Sequence, residues 1–279
     1  MRIASLHTYP VKGCHRIDHD VARVEPWGLV GDRRWAMVDA DGVAFTQRDN
    51  PLLTQLRVTP RPGGLLLSAP GLPDLSIDEP VDGAKEFVRV FRSHLPTPAR
   101  IAESEWTSAF LGRPARLVWQ ADAGSRAIGG VDEVGEPVSF ADGWPLLLAN
   151  EASLDALNGW LPEEIPMTRF RPNLVVEGAA PWAEDEWSLN EARLQIGDVV
   201  LRAGPGCPRC VVTTIDQESG EKGKEPLRTL GKFRRVGQGL LFAINVAPLA
   251  LGSRAVGSRA VGSRAVGSLA VGDEIRLIG

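Results

Sequence analysis

The sequence predicts a mainly β fold with a few helices, an α+β protein, and three observations carry that expectation. Short β-branched or alternating apolar runs recur between Gly, Pro and Asp turn signals. Helical periodicity is confined to two short windows. Near the C-terminus, Cys207 and Cys210 sit in a tight Gly/Pro turn with Arg209 between them, and the β-branched residues 211–215 that follow read as a strand. At 279 residues the chain suits one large or two modest domains.

The elements follow in order. Residues 34–39 and 43–47 flank Ala40-Asp41-Gly42, a hairpin signal, and residues 56–59 and 65–68 flank a second turn at 60–64. Residues 86–91 alternate as a further strand, so the first part reads as barrel-like. A helix is expected over 103–111, with Trp106, Phe110 and Leu111 on one face and Gly112 as its stop. Residues 145–149 read as a buried strand leading to Asn150, the N-cap of a second helix that presents Leu154 and Leu157 before Gly159. Strands at 173–177, 241–246 and 274–278, with a hairpin over 192–202 turning at Gly197-Asp198, complete the chain. The Gly-, Arg- and Asp-rich stretch 124–135 is the expected seam, dividing the chain into 1–123 and 124–279. From Gly252 the pentapeptide Gly-Ser-Arg-Ala-Val occurs three times, and the fourth copy carries Leu269 in place of Arg. Because five matches neither a helical nor a strand period, residues 252–271 read as a surface insertion without a function of its own.

Composition excludes several classes. A net charge of -4 gives no electrostatic case for nucleic acid or an anionic membrane. The N-terminus lacks a signal-peptide apolar core and no long apolar run occurs, so a cytoplasmic protein without membrane contact is expected. Three cysteines, Cys14, Cys207 and Cys210, provide no disulfide framework and too few thiolates for an ordinary iron–sulfur cluster. Every histidine precedes residue 95, so no His pair follows the two cysteines to complete a zinc site. Neither a Ser/His/Asp order nor a paired-carboxylate motif can be picked out.

Four clusters could carry chemistry. Tyr9-Pro10-Val11-Lys12-Gly13-Cys14 ends a strand in a Gly turn that offers one cation and free backbone N–H groups to a phosphate. Gly31-Asp32-Arg33-Arg34-Trp35 presents two arginines after a Gly-rich turn. In Arg171-Pro172-Asn173, Pro172 fixes the backbone between a guanidinium fork and an amide. The fourth is the Cys-Pro-Arg-Cys turn, where a fixed positive charge favours thiolate and makes the sulfur a metal ligand, a redox centre or a nucleophile. Together they are parts for a phosphorylated cofactor that also carries a soft metal.

These motifs, with Phe140-Ala141-Asp142-Gly143, Asn150-Glu151-Ala152-Ser153-Leu154, Ala183-Glu184-Asp185-Glu186-Trp187, Ile196-Gly197-Asp198-Val199 and Glu225-Pro226-Leu227-Arg228-Thr229-Leu230, occur in an order that resembles one family over nearly the whole chain. It is that of MOSC-domain proteins with a MOSC N-terminal β-barrel, which includes the mitochondrial amidoxime-reducing components. The resemblance implies a barrel domain over 1–123 and a MOSC domain over 124–279, with the molybdenum cofactor as prosthetic group, no pyridoxal phosphate and no iron–sulfur cluster in this chain. It further implies that Cys210 ligates molybdenum and is the catalytic residue, and that Lys12, Gly13, Arg33, Gly143, Arg171 and Asn173 hold the molybdopterin. Gly13 and Gly143 stand where relatives can carry hydroxyl side chains. Relatives reduce small N-hydroxylated compounds. A sequence ending at Gly279 without a ferredoxin domain implies an external donor, a ferredoxin-like protein or a flavoprotein reductase. MOSC domains also end molybdenum cofactor sulfurases, so a cofactor-binding or sulfur-carrier role without reduction is the alternative. A dithiol oxidoreductase is a third, although thioredoxin-like cysteines open a helix and these lead into an expected strand.

Overall fold

Strands dominate the computed structural model, which describes residues 1–90, 96–127, 136–249 and 266–278. The principal sheet runs in the order Ile275–Ile278, Arg193–Ile196, Val199–Pro208, Gly239–Leu249, Leu146–Asn150, Leu174–Glu177, Arg2–Thr8 and Ile17–His19, with Arg235–Val236 pairing off Gly239–Leu249. Only the Leu146–Asn150 and Leu174–Glu177 strands pair in parallel within it. A helix over Glu151–Asn158 lies between those two strands in sequence, as a parallel crossover requires. Asn150 caps it by accepting from the Ala152 N–H at 3.2 Å, as its sequence position predicts.

Three smaller sheets complete the fold, two of them in the barrel-like part. Trp35–Val38, Arg116–Trp119, Thr97–Glu103 and Lys85–Val88 form one, and Arg57–Arg61, Gly64–Ser68 and Leu75–Asp78 form the second. The second expected turn lies here, with residues 57–61 paired against 64–68. The helix α1, Glu105–Leu111, stops at Gly112 in the left-handed conformation and stacks Trp106 on Phe110 into this core. The crossover helix Glu151–Asn158 is α2. Glu103 closes the first turn of α1 by accepting from the N–H groups of Trp106 and Thr107.

The third small sheet corrects the reading of the repeats. Gly267–Ala270, the fourth pentapeptide copy, pairs with Val21–Glu25, which in turn pairs with Gly28–Leu29. Leu269 is fully buried in one core with Leu29, Leu146 and Val199, so the one copy that carries leucine instead of arginine is a core strand. The first three copies lie outside the described residues except for Val266, as does most of the expected seam at 124–135.

A second correction falls on the thiol turn. Residues 211–215 do not continue as a strand: Val199–Pro208 ends beside the first cysteine, and Val211–Thr214 forms a single 3-10 turn. The hydroxyls of Thr213 and Thr214 donate to the carbonyls of Cys210 and Val211 at 2.9 and 2.8 Å. Such bonds three residues back satisfy the chain locally and override the β preference of the sequence. Two short helices carry no clear sequence signal, α3 over Ala183–Leu189 and α4 over Leu227–Phe233. No helix among the described residues is long and apolar enough to cross a membrane.

Candidate functional site

Strand ends and turns from both halves of the chain converge near the second thiol. Arg2–Thr8 crosses the principal sheet and delivers Tyr9, Lys12 and Gly13 from its end. Tyr9 is almost fully buried, donates its hydroxyl to the Pro172 carbonyl at 3.0 Å, and receives a guanidinium over its ring from Arg33 (4.6 Å) and Arg171 (4.1 Å). Burial pushes its phenol up to about 12. Arg33 and Arg171 both adopt left-handed backbone, with φ of 49° and 56°, a strained state for residues with a Cβ that clusters at functional sites.

Each predicted site residue has a definite place. Lys12 is buried and donates to the Phe140 carbonyl at 2.9 Å and to the Asp142 carboxylate. Burial lowers its pKa from the ordinary lysine value, against the pull of Asp142. Arg33 is paired with Asp32 and donates to the Asn173 side-chain oxygen at 3.1 Å. Burial works against its charge, and Asp32 outweighs that, so its pKa lies above the usual arginine value. Arg171 donates to the Cys14 carbonyl at 2.8 Å and to Gln217 at 2.9 Å, and burial lowers its pKa. The Asn173 amide is fully enclosed: it donates to the His7 carbonyl and accepts from Leu147 and Arg33. Asn173 therefore ties three segments together and orients Arg33.

Cys210 stands at the start of the 3-10 turn, partly exposed, and its sulfur accepts from Arg48 Nη2 at 3.5 Å. Arg48 also reaches Asp142 at 3.3 Å, so Lys12, Asp142, Arg48 and Cys210 form a continuous polar chain. Asp142 keeps 48% of its side-chain surface, yet the protein packed around it disfavours charge; Lys12 and Arg48 outweigh that and hold its carboxyl far below the usual range. Arg126 closes the far side by donating to the carbonyls of Ser139, Ala141 and Asp142, with burial bringing it down to about 10. Cys207 has other neighbours. It packs with Leu227, Leu230 and Phe242, and its sulfur accepts from Arg209 at 2.8 Å. The arginine between the thiols thus serves Cys207, while the cation at Cys210 comes from Arg48.

The two glycines differ. Gly13 has a φ of 84°, and a Cβ there would lie 2.9 Å from a Leu53 methyl. Gly143 faces open space, with nothing within 4 Å of a Cβ. Sequence reasoning misses Arg48, Asp142 and Arg126 as site residues. Asp142 lies within a family motif, whereas Arg48 carries no signal beyond its position after an expected strand. Tyr9, the one tyrosine of the chain, is visible in the sequence only as part of a motif.

Residues 1–114 match the MOSC N-terminal beta barrel domain, and residues 135–276 match the MOSC domain. The chain belongs to the MOSC-domain family. This MOSC protein is 33% identical over 246 residues to human (Homo sapiens) mitochondrial amidoxime-reducing component 1, with 84% of this chain and 72% of the relative covered. It is 31% identical over 246 residues to mitochondrial amidoxime reducing component 2 of Bos taurus, covering 83% and 72%. It is also 30% identical over 270 residues to the molybdenum cofactor sulfurase of Oryza sativa subsp. japonica, covering 88% of this chain and 32% of that protein. A molybdenum-cofactor-associated role follows from these relatives.

Proposed function

We propose that this chain holds the molybdenum cofactor through Cys210 and reduces small N-hydroxylated compounds with electrons from a separate carrier protein. The observation that carries the reading is the polar chain from Lys12 through Asp142 and Arg48 to the Cys210 sulfur. The donor set fits that cofactor. A lone soft sulfur suits a metal already held by an organic group, and among the described residues no three His, Cys, Asp or Glu side chains gather to chelate a bare ion. Lys12, Arg33 and Arg171 would supply cations for a phosphate, and Gly143, next to the Asp142 that Lys12 bonds, faces open space.

When bound, the cofactor supplies two-electron chemistry that the protein lacks, R–NH–OH + 2 e⁻ + 2 H⁺ → R–NH₂ + H₂O. The chain's residues bind and orient. Tyr9 carries Arg33 and Arg171 over its ring, and Asn173 aims Arg33. Asp142, kept ionised by Lys12 and Arg48, keeps Arg48 turned toward the sulfur. With three cysteines in this sequence, one of them Cys210, too few thiolates remain for an ordinary four-cysteine cluster, so this reading takes its electrons from a separate carrier.

The test is turnover of benzamidoxime by protein from a cofactor-competent host. Reduced viologen dye is expected to support formation of benzamidine and NADH alone is not. No turnover with dye by metal-loaded protein would contradict the reductase reading. The rice sulfurase similarity supports a second reading, in which Cys210 carries sulfur and nothing is reduced. A mass increase of one sulfur on Cys210 in isolated protein, without dye-driven turnover, would favour it.

A further inference from the structure

Next to the thiol turn, an acidic chain concentrates its unpaired cations. Lys222, Lys224, Arg228, Lys232 and Arg235 are all exposed, and none pairs with an acidic side chain among the described residues. The protein as a whole carries a net charge of -4, so this cluster is a local reversal of sign. Arg228 and Lys232 lie four residues apart on the outer face of α4, and Lys224 precedes the helix beside its first turn. Of the acids nearby, Glu225 accepts from the Thr229 N–H and Asp185 is paired with Arg234, while Glu221 and, beyond Trp160, Glu163 and Glu164 are exposed; the five cations outnumber these three exposed carboxylates.

An apolar centre accompanies the charges. Phe233 is 55% exposed and packs on the partly exposed Trp160 with ring centroids 4.7 Å apart, while Val236 is exposed beyond it. Exposed aromatics flanked in sequence by cations, as Phe233 is by Lys232 and Arg235, have the make-up of an interface rather than of a merely solvated helix face.

The patch is tied to the site by backbone. Thr214, the last residue of the turn that Cys210 opens, accepts from the Gly223 N–H at 2.8 Å, and Ile215 bridges to Lys222. The inner face of α4 places Leu227 and Leu230 in the cluster that holds Cys207. A protein seated on the outer face would therefore stand over the segment that carries both thiols.

We infer that α4 and the segments flanking it, Lys222 to Val236, form the docking surface for a small acidic electron-carrier protein. This rests on the reductase reading, which requires such a carrier. Complementary charge would steer it and set its orientation, with the gain falling as salt rises. A nucleic acid or an anionic membrane is disfavoured by the net negative charge of the rest of the molecule.

The test measures binding of a plant-type [2Fe–2S] ferredoxin, a strongly acidic carrier, to wild type and to Lys224→Glu/Arg228→Glu/Lys232→Glu. The expected result is binding that weakens with salt and is about tenfold weaker in the variant, the low end of electrostatic steering. Thermal midpoint and dye-driven turnover are expected to stay unchanged, because all three side chains are exposed. Equal affinity of wild type and variant would overturn the inference. So would binding of duplex DNA or phosphatidylglycerol vesicles by wild type with no binding of ferredoxin. The binding measurement needs no turnover, so a silent dye assay would count against the reductase reading alone.

Discussion

At the residue scale, the site depends on which cation reaches which sulfur. Arg209 follows Cys207 closely in sequence and bonds to it, whereas Arg48, distant in sequence, supplies the donor at Cys210. That pairing is invisible in the sequence because it joins residues 162 positions apart. Glu218 ties the same regions together from outside, accepting from His15 at 2.9 Å, Arg16 at 3.0 Å and Arg57 at 3.1 Å. The His15 hydrogen bond and then the two arginines bring its carboxyl down to about 2 against the cost of burial. A depressed carboxyl stabilises the fold above its unfolded pKa, and that contribution is lost as pH falls from about 4.3 toward the folded value. Glu218 is 57% exposed, so the effect is screened. Glu218→Gln is expected to cost about 1 kcal/mol or less at pH 7. It should also flatten the decline in stability between about pH 5 and 3, read by denaturant titration. An unchanged acid limb would show that the clamp contributes nothing.

At the element scale, local chemistry decides what can be read in advance. Asn150 and Gly112 announce the start of α2 and the stop of α1, and both perform those roles. The pairing of 57–61 with 64–68 follows from its Pro/Gly turn. The reading fails where β-branched residues are held by their own hydroxyls, at Thr213 and Thr214, and where one substitution changes a repeat into a core strand. The repeat yields a direct check. Leu269→Arg restores the repeat sequence but places an unpaired charge in the core that holds Leu29, Leu146 and Val199. It is expected to destabilise the protein by about 3 kcal/mol or more, measured as a shift in denaturation midpoint. A loss below about 1 kcal/mol would mean that the Gly267–Ala270 strand is dispensable.

At the scale of the whole molecule, the N-terminal strand Arg2–Thr8 lies inside the principal sheet, between Leu174–Glu177 and Ile17–His19. The first residues of the chain therefore help to build the second half, and Tyr9 and Lys12 reach the thiol site by that route. Sequence motifs name most of the parts, Lys12, Arg33, Arg171, Asn173 and Cys210, but not the long-range pairing that joins them. The central claim is that Cys210, and not Cys207, anchors the molybdenum cofactor. The most direct measurement is molybdenum content by mass spectrometry in wild type, Cys207→Ala and Cys210→Ala from a cofactor-competent host. Near-stoichiometric metal in wild type and Cys207→Ala, lost in Cys210→Ala, is the predicted result. Metal retained in Cys210→Ala, or absent from all three, would contradict it.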